Sequence, residues 1–352
     1  MLDTLVFALD GFEIPKNAIL DARHSTCGCD RFKMPTGQSD GSYLPRVVFL
    51  RYPVRLTRKL KIELRVEFSV PKLLYGDSIN EFVDTDFARL CDKLIDVLSS
   101  NFGLCVSSDQ LANARLVRLD FCKNFLLPVT ADLFFSHAKV FVFKTRCHNR
   151  DYKYAGNGSQ LIWETKKTTL TLYDKSEEVR AQDDPEAMIS LGRVMKDGSC
   201  AGLVRLEARF NGVKIKEILR HYGISEPITL KSVCNQDLAR AILTDQLLEV
   251  VGMKSLSSVP ALFVAQGGIK RRDAFTINGI FALARDFGMD QALSLHKQAT
   301  SPNTHRRIVG LIKNAGPPQG GDLWGIIKSQ LEKFEPIIKK SKKTICQKSI
   351  DL

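Results

Sequence analysis

The chain has 352 residues, 44% hydrophobic and 26% charged, the balance of an ordinary folded protein and not of a disordered one. Its 51 Lys and Arg against 39 Asp and Glu leave a formal charge of +12, which favours a polyanionic partner because each neutralised phosphate releases counterions. Nine cysteines without a disulfide-like rhythm fit a reducing compartment, and an N-terminus with an acid at Asp3, together with the lack of any run of about 18 apolar residues, predicts a soluble intracellular protein with no membrane contact.

In chain order, residues 4–9 read as a first strand, and His24 to Pro45 as a long loop rich in Gly, Ser, Asp and Pro. Cys27 and Cys29 are the one close cysteine pair, but their one-residue spacing is not that of a zinc knuckle. From Leu60 to Val70, Leu64, Val66 and Phe68 alternate with Glu63, Arg65 and Glu67, so one face is core and the other charged. A helix capped at Thr85 or Asp86 follows, with Phe87, Leu90, Leu94 and Leu98 on its apolar side. Arg115 to Cys122 repeats the strand design, with Val117, Leu119 and Phe121 inward and Arg118 and Asp120 outward.

A helix is expected around Ala131 to Phe143, then a polar loop from Arg146 to Ser159. Gln160 to Glu164 pairs with Thr168 to Lys175 as a hairpin across Thr165, Lys166 and Lys167. In its second strand Thr169, Thr171, Tyr173 and Lys175 share one face, which sets a phenol beside an ammonium. Leu203 to Phe210 is the clearest strand, with Arg205, Glu207 and Arg209 on its polar side. Past Pro227 helical patterns take over, among them Leu230 to Val251, a series starting at Phe281, and Ser301 to Lys313 with a basic first turn. The predicted class is α+β: an antiparallel sheet with helices packed on one face, followed by a mainly helical C-terminal region. The expected division is 1–225, a catalytic domain; 226–315, a helical accessory and DNA-binding domain; and 316–352, a linker and basic tail.

Carboxylates from separate strands on one face are what a hard cation needs, so Glu67, Asp120 and Glu207 are the candidate ligands of Mg2+ or Mn2+; the same acids equally suit pairing with the arginines two residues before them. Tyr173 on such a face is either a packing residue or a nucleophile toward a phosphodiester, helped by Lys175. Arg65, Arg118, Arg205 and Arg209, with Lys166 and Lys167, are the candidate DNA contacts, and Trp163 and Tyr75 candidate stacking platforms for unpaired bases.

The segments Phe68 to Asp77, Val117 to Asp120, Trp163 to Lys175 and Gly202 to Arg209 resemble, in order and spacing, the gene II replication initiators of filamentous phages and related plasmid Rep proteins. The resemblance implies a relaxase/Rep-like fold and a site-specific, strand-specific endonuclease of rolling-circle replication in a bacterial cytoplasm. It places Tyr173 at the family's nucleophile and Lys175 at its companion, with single-stranded or melted origin DNA and duplex origin DNA as partners. No His-apolar-His motif occurs, so acids are the expected metal ligands, and Asp174 stands beside the nucleophile where other members have an apolar residue. A non-catalytic origin-binding initiator or repressor is the alternative. The C-terminal helices leave two roles open, duplex reading and recruitment of a host helicase.

Overall fold

The computed structural model describes residues 1–21, 29–35, 43–54, 59–141, 151–155, 159–165, 168–196, 200–251, 271–315 and 323–337. Among these, ten strands form one sheet: β1 Leu2–Asp10, β2 Ile19–Leu20, β3 Asp30–Lys33, β4 Arg46–Pro53, β5 Leu60–Ser69, β6 Arg115–Leu127, β7 Asp151–Ala155, β8 Gln160–Glu164, β9 Thr168–Asp174 and β10 Gly202–Asn211. Their spatial order is β2-β3-β4-β5-β1-β6-β10-β9-β8-β7, with each neighbouring pair antiparallel. The first strand thus lies at the centre, and the three charged strands foreseen from alternation, β5, β6 and β10, flank it or stand one place away.

Alternation fixes the faces. Leu64, Val66, Phe68, Leu206, Ala208 and Phe210 point into one apolar core. That core is covered by α1 Val70–Tyr75, α2 Phe87–Phe102, α3 Ser108–Ala112, α4 Ala131–Phe141, α7 Val213–His221, α8 Leu230–Val233, α9 Gln236–Val251 and α13 Leu323–Lys333. The α+β architecture read from the sequence is present. Pro71 does more than end β5: it starts α1, which closes on Gly76 in the left-handed conformation that glycine adopts at least cost.

Two short helices, α5 Lys175–Ala181 and α6 Pro185–Val194, lie on the other face, where Val179, Ala187 and Leu191 pack with Ile79 and Leu203 in a small second core. Their N-caps are Asp174 and Asp184, each accepting from a backbone amide in the first turn. Helices therefore cover one end of the polar face, and this enclosure creates the buried part of the site.

The boundary expected near residue 225 does not separate cores. Leu230, Val233, Leu238, Ile242, Leu247, Ile327 and Leu331 belong to the main core, whereas α10 Arg271–Phe287, α11 Met289–Ala299 and α12 Pro302–Ala315 build a separate one around Ile280, Ala284, Met289 and Ile308. The helix expected over 230–251 breaks at Cys234 and Asn235, where Asn235 accepts from the Leu238 amide and starts α9. Lys166, Lys167, Cys27, the 316–321 linker and the basic tail beyond 337 lie outside the described residues.

Two register slips shape β1 and β6. Leu2 faces Phe121 while Leu5 faces Leu119, so β1 carries one extra residue over Asp3 and Thr4; β6 carries one at Val117, since Val6 faces Arg118 and Phe7 faces Leu116. The second bulge puts Leu116 in the core in place of the expected Val117. The first turns Asp3 toward the polar face.

Candidate active site

Tyr173 is the next-to-last residue of β9 and stands opposite Arg205 in the β9–β10 ladder, with Glu207 opposite Thr171. The diagonal brings the phenol to 3.5 Å from Glu207 Oε2, to which it donates. Lys175, the first residue of α5, holds its ammonium 5.8 Å from the centre of the Tyr173 ring and pairs with Glu178. The sequence pairing of Tyr173 with Lys175 and with Glu207 is thus brought together. Tyr173, Glu178 and Glu207, but not the buried Lys175, line a cavity of about 480 Å³ together with Thr169, Thr171, Glu177 and Arg209.

Electrostatics in the enclosed end are strongly perturbed. Burial raises the Tyr173 phenol well above its usual pKa, and the Glu207, Asp3 and Glu178 carboxylates add to this, against Arg205. Burial, helped by Asp3 and Asp120, pushes Glu207 up to about 7. Lys175 is lowered by burial and by Arg205, with Glu178 and Asp3 opposing. Asp174, where an apolar residue was expected from the resemblance, has its side chain turned to the Glu177 amide as the α5 cap. The carboxylate within hydrogen-bond distance of the phenol thus titrates near neutrality, while the phenol holds its proton more tightly than an ordinary tyrosine.

Arg205 was a candidate DNA contact, and the structure corrects this. It is 1% exposed, with Nε donating to Asn124 Oδ1 at 2.7 Å, Nη1 to Asp3 Oδ1 at 2.8 Å, and Nη2 to the Ser78 carbonyl. The 77–82 segment covers it, itself pinned by Asp77, which accepts from Asn80 and from Ser190 of α6. Arg205 therefore ties β10, β6, β1 and this segment together, and a strand of DNA does not reach it. Trp163 is corrected likewise. It is 3% exposed within the main core with Leu161, Leu170 and Leu172, because β8 places it on the helix side of the sheet. Tyr75 has its hydroxyl on Asp86 and its ring under Arg89, which ties it to the start of α2.

Arg65, Arg118 and Arg209 do lie on the polar face with exposed surface. Each is paired: Arg65 with the buried Glu63, Arg118 with Asp120 and with Glu67 at 3.1 Å, and Arg209 with Asp120 at 3.1 Å and Glu207 at 3.2 Å. The three acids expected to share a metal are separated by this pairing. Both oxygens of Asp120 are taken by Arg118 and Arg209, and Glu67 turns to Arg118 and Arg46. Among the described residues no group of three or more His, Cys, Asp or Glu side chains is placed to hold a metal ion. The acids do not fit a shared Mg2+ or Mn2+ as they stand, since the Arg209 guanidinium takes the place between Asp120 and Glu207.

Asp3 and Asn124 are site residues that alternation did not reveal. Asp3 stays below the ordinary carboxylate range although burial opposes this, because Arg205 and Lys175 outweigh it. Its signal would have been the bulge in β1, which a pattern of apolar residues does not encode.

Comparison with known proteins adds the following. The family described as the N-terminal part of a phage replication-associated gene II protein matches residues 49–225, half of the chain, a span that holds Tyr173, Lys175, Glu207 and Asp120. A rolling circle replication initiator protein from Geobacillus stearothermophilus is structurally similar with a TM-score of 0.27 and 9% identity, over 70% of this chain and 95% of that one. Curated proteins gave no match. The family match, covering the sheet strands that carry the phenol and its carboxylate neighbour, makes this chain a member of the phage replication-associated gene II protein family.

Proposed function

We propose that the chain initiates rolling-circle replication by cutting one strand of an origin through Tyr173. The observation that carries this is the Tyr173 hydroxyl 3.5 Å from Glu207 at the wall of the cavity. The phenol oxygen attacks phosphorus, the bond to the 3′-oxygen breaks, and the DNA 5′ end stays on the protein as a phosphotyrosyl ester. The phenol proton passes to Glu207, and the departing 3′-oxygen takes a proton from solvent water to become the hydroxyl that later reverses the step.

Glu207 is needed because the bare phenolate is costly. Even at the ordinary tyrosine pKa near 10, ionisation at neutral pH costs about 4 kcal/mol, and burial raises that cost here. Transfer to a neighbouring carboxylate during attack avoids a free phenolate. Arg209, partly exposed at the carboxylate, offsets charge that builds on the phosphoryl oxygens, while Lys175, buried beside the ring, offsets charge that builds on the phenol oxygen.

The test is incubation of the full chain with single-stranded origin DNA and a divalent cation, followed by denaturing electrophoresis and peptide mapping of the adduct. Wild type should give a DNA-linked peptide containing Tyr173, and Tyr173→Phe none. An adduct that persists in the Phe variant sinks the assignment, and no adduct from wild type under any cation leaves the non-cutting origin binder. Glu207→Gln should lower the rate about 10²- to 10⁴-fold. The wild-type rate should climb as pH rises through about 7, where Glu207 loses its proton.

A further inference from the structure

The cavity beside Tyr173 has a character unlike the rest of the polar face. Arg46 on β4, Arg65 on β5 and Arg118 on β6 keep part of their side chains exposed on the polar face. The cavity lies on the β8–β9–α5 side and is walled by Glu164, Asp174, Glu177, Glu178 and Glu207 against the guanidinium of Arg209. Tyr173 stands between the two. A DNA backbone is attracted to the first region and repelled from the second.

What a single strand can still place in a carboxylate-walled cavity is a base. A base carries no charge, and its edge presents N–H groups that carboxylates accept. The cavity's 480 Å³ is within the ordinary range for ligand sites, about 300–1,000 Å³, and Ile162 and Ala181 supply apolar lining for a ring face. A metal ion is the other occupant that carboxylates attract, but among the described residues no three of them converge on one point.

We infer that this cavity receives the base of the nucleotide adjoining the scissile phosphate, and that it selects a base with an exocyclic amino group, adenine, cytosine or guanine, over thymine. Thymine offers one N–H between two carbonyl oxygens, and those oxygens would face the carboxylates without a donor. Glu177, on the first turn of α5, and Thr171, opposite Glu207 in the ladder, supply the contacts. The base choice rests on the strand-cutting reading for its register, but base recognition itself needs no cutting.

The experiment separates the two. Full-length Tyr173→Phe protein is used to capture single-stranded oligonucleotides from a randomised pool, and the bound fraction is sequenced. One position should be depleted of thymine by roughly tenfold. Glu177→Gln and Thr171→Val, each added to Tyr173→Phe and each checked by thermal melting, should flatten the preference at that position. If no position discriminates, if thymine is enriched, or if the bias is unchanged in both folded variants, the inference is overturned. The selected sequence is then offered to wild type. Bias against thymine without a covalent adduct would keep the base pocket and overturn the cutting reaction, and an adduct without bias would do the reverse.

Discussion

Glu207 keeps its proton over a pH range in which an ordinary glutamate has lost it, and this has a sign for stability. Its folded pKa of about 7 exceeds the unfolded value near 4.3. The protonated side chain thus contributes stability that is fully present below about pH 4.3 and is lost as pH rises through about 7. Glu207→Gln, neutral throughout, should be more stable than wild type above pH 7 by on the order of 3–4 kcal/mol. The difference should vanish near pH 4, as read by thermal melts in a chelating buffer. Arg205 acts in the opposite sense: Arg205→Met removes the partner of Asp3 and the donors to Asn124 and Ser78, and urea unfolding should show a loss of about 3–5 kcal/mol. Tyr173, Glu207, Asp120 and Arg209 were legible as one face because alternation fixes it. That Arg205 is buried while Arg209 is not was illegible, since it depends on the 77–82 segment arriving from far along the chain.

At the scale of elements, β10 is held at its start by close packing. A Cβ added to Gly202 would lie 2.7 Å from the Val129 carbonyl and 2.8 Å from the Ala131 amide, both backbone atoms at the entry to α4. Gly202→Ala should therefore cost about 1–3 kcal/mol, measured by chemical denaturation, although alanine is the better strand residue elsewhere. β5, β6, β8, β9 and β10 were readable because each shows one face to the core. β4 was not read, because Val47, Val48 and Phe49 are all buried and a consecutive apolar run carries no period. β7 was hidden in a polar stretch, where pairing with β8 makes the strand. The bulges in β1 and β6 are likewise a product of pairing, so Asp3 was visible as a residue and not as part of a site.

Across the whole molecule, the sheet depends on residues distant in sequence. On the side of β6 beyond the reach of β1, the Cys122 amide is held by the Met1 carbonyl at 2.9 Å, that of Asn124 by Glu81 at 2.6 Å, and that of Leu126 by Gln330 at 3.0 Å. Gln330 also donates to the Leu126 carbonyl, and Glu81 accepts from the Ile337 amide. Gln330→Ala should speed hydrogen exchange at the Leu126 amide about 5- to 100-fold, as one lost buried bond of about 1–3 kcal/mol implies; exchange unchanged there would mean that α13 does not seal this edge. The helical region after residue 225 looked like an appendage in sequence because its helices carry no strand signal, yet α9 and α13 complete the main core. One consequence concerns synthesis. A nascent chain has the ten described strands and Tyr173 made long before Gln330, so the amide of Leu126 waits for its acceptor until about 120 residues after the end of β10 at Asn211. The sheet that carries Tyr173 is therefore finished well after its own strands are made, and a chain cut short before α13 would present an open strand edge at β6.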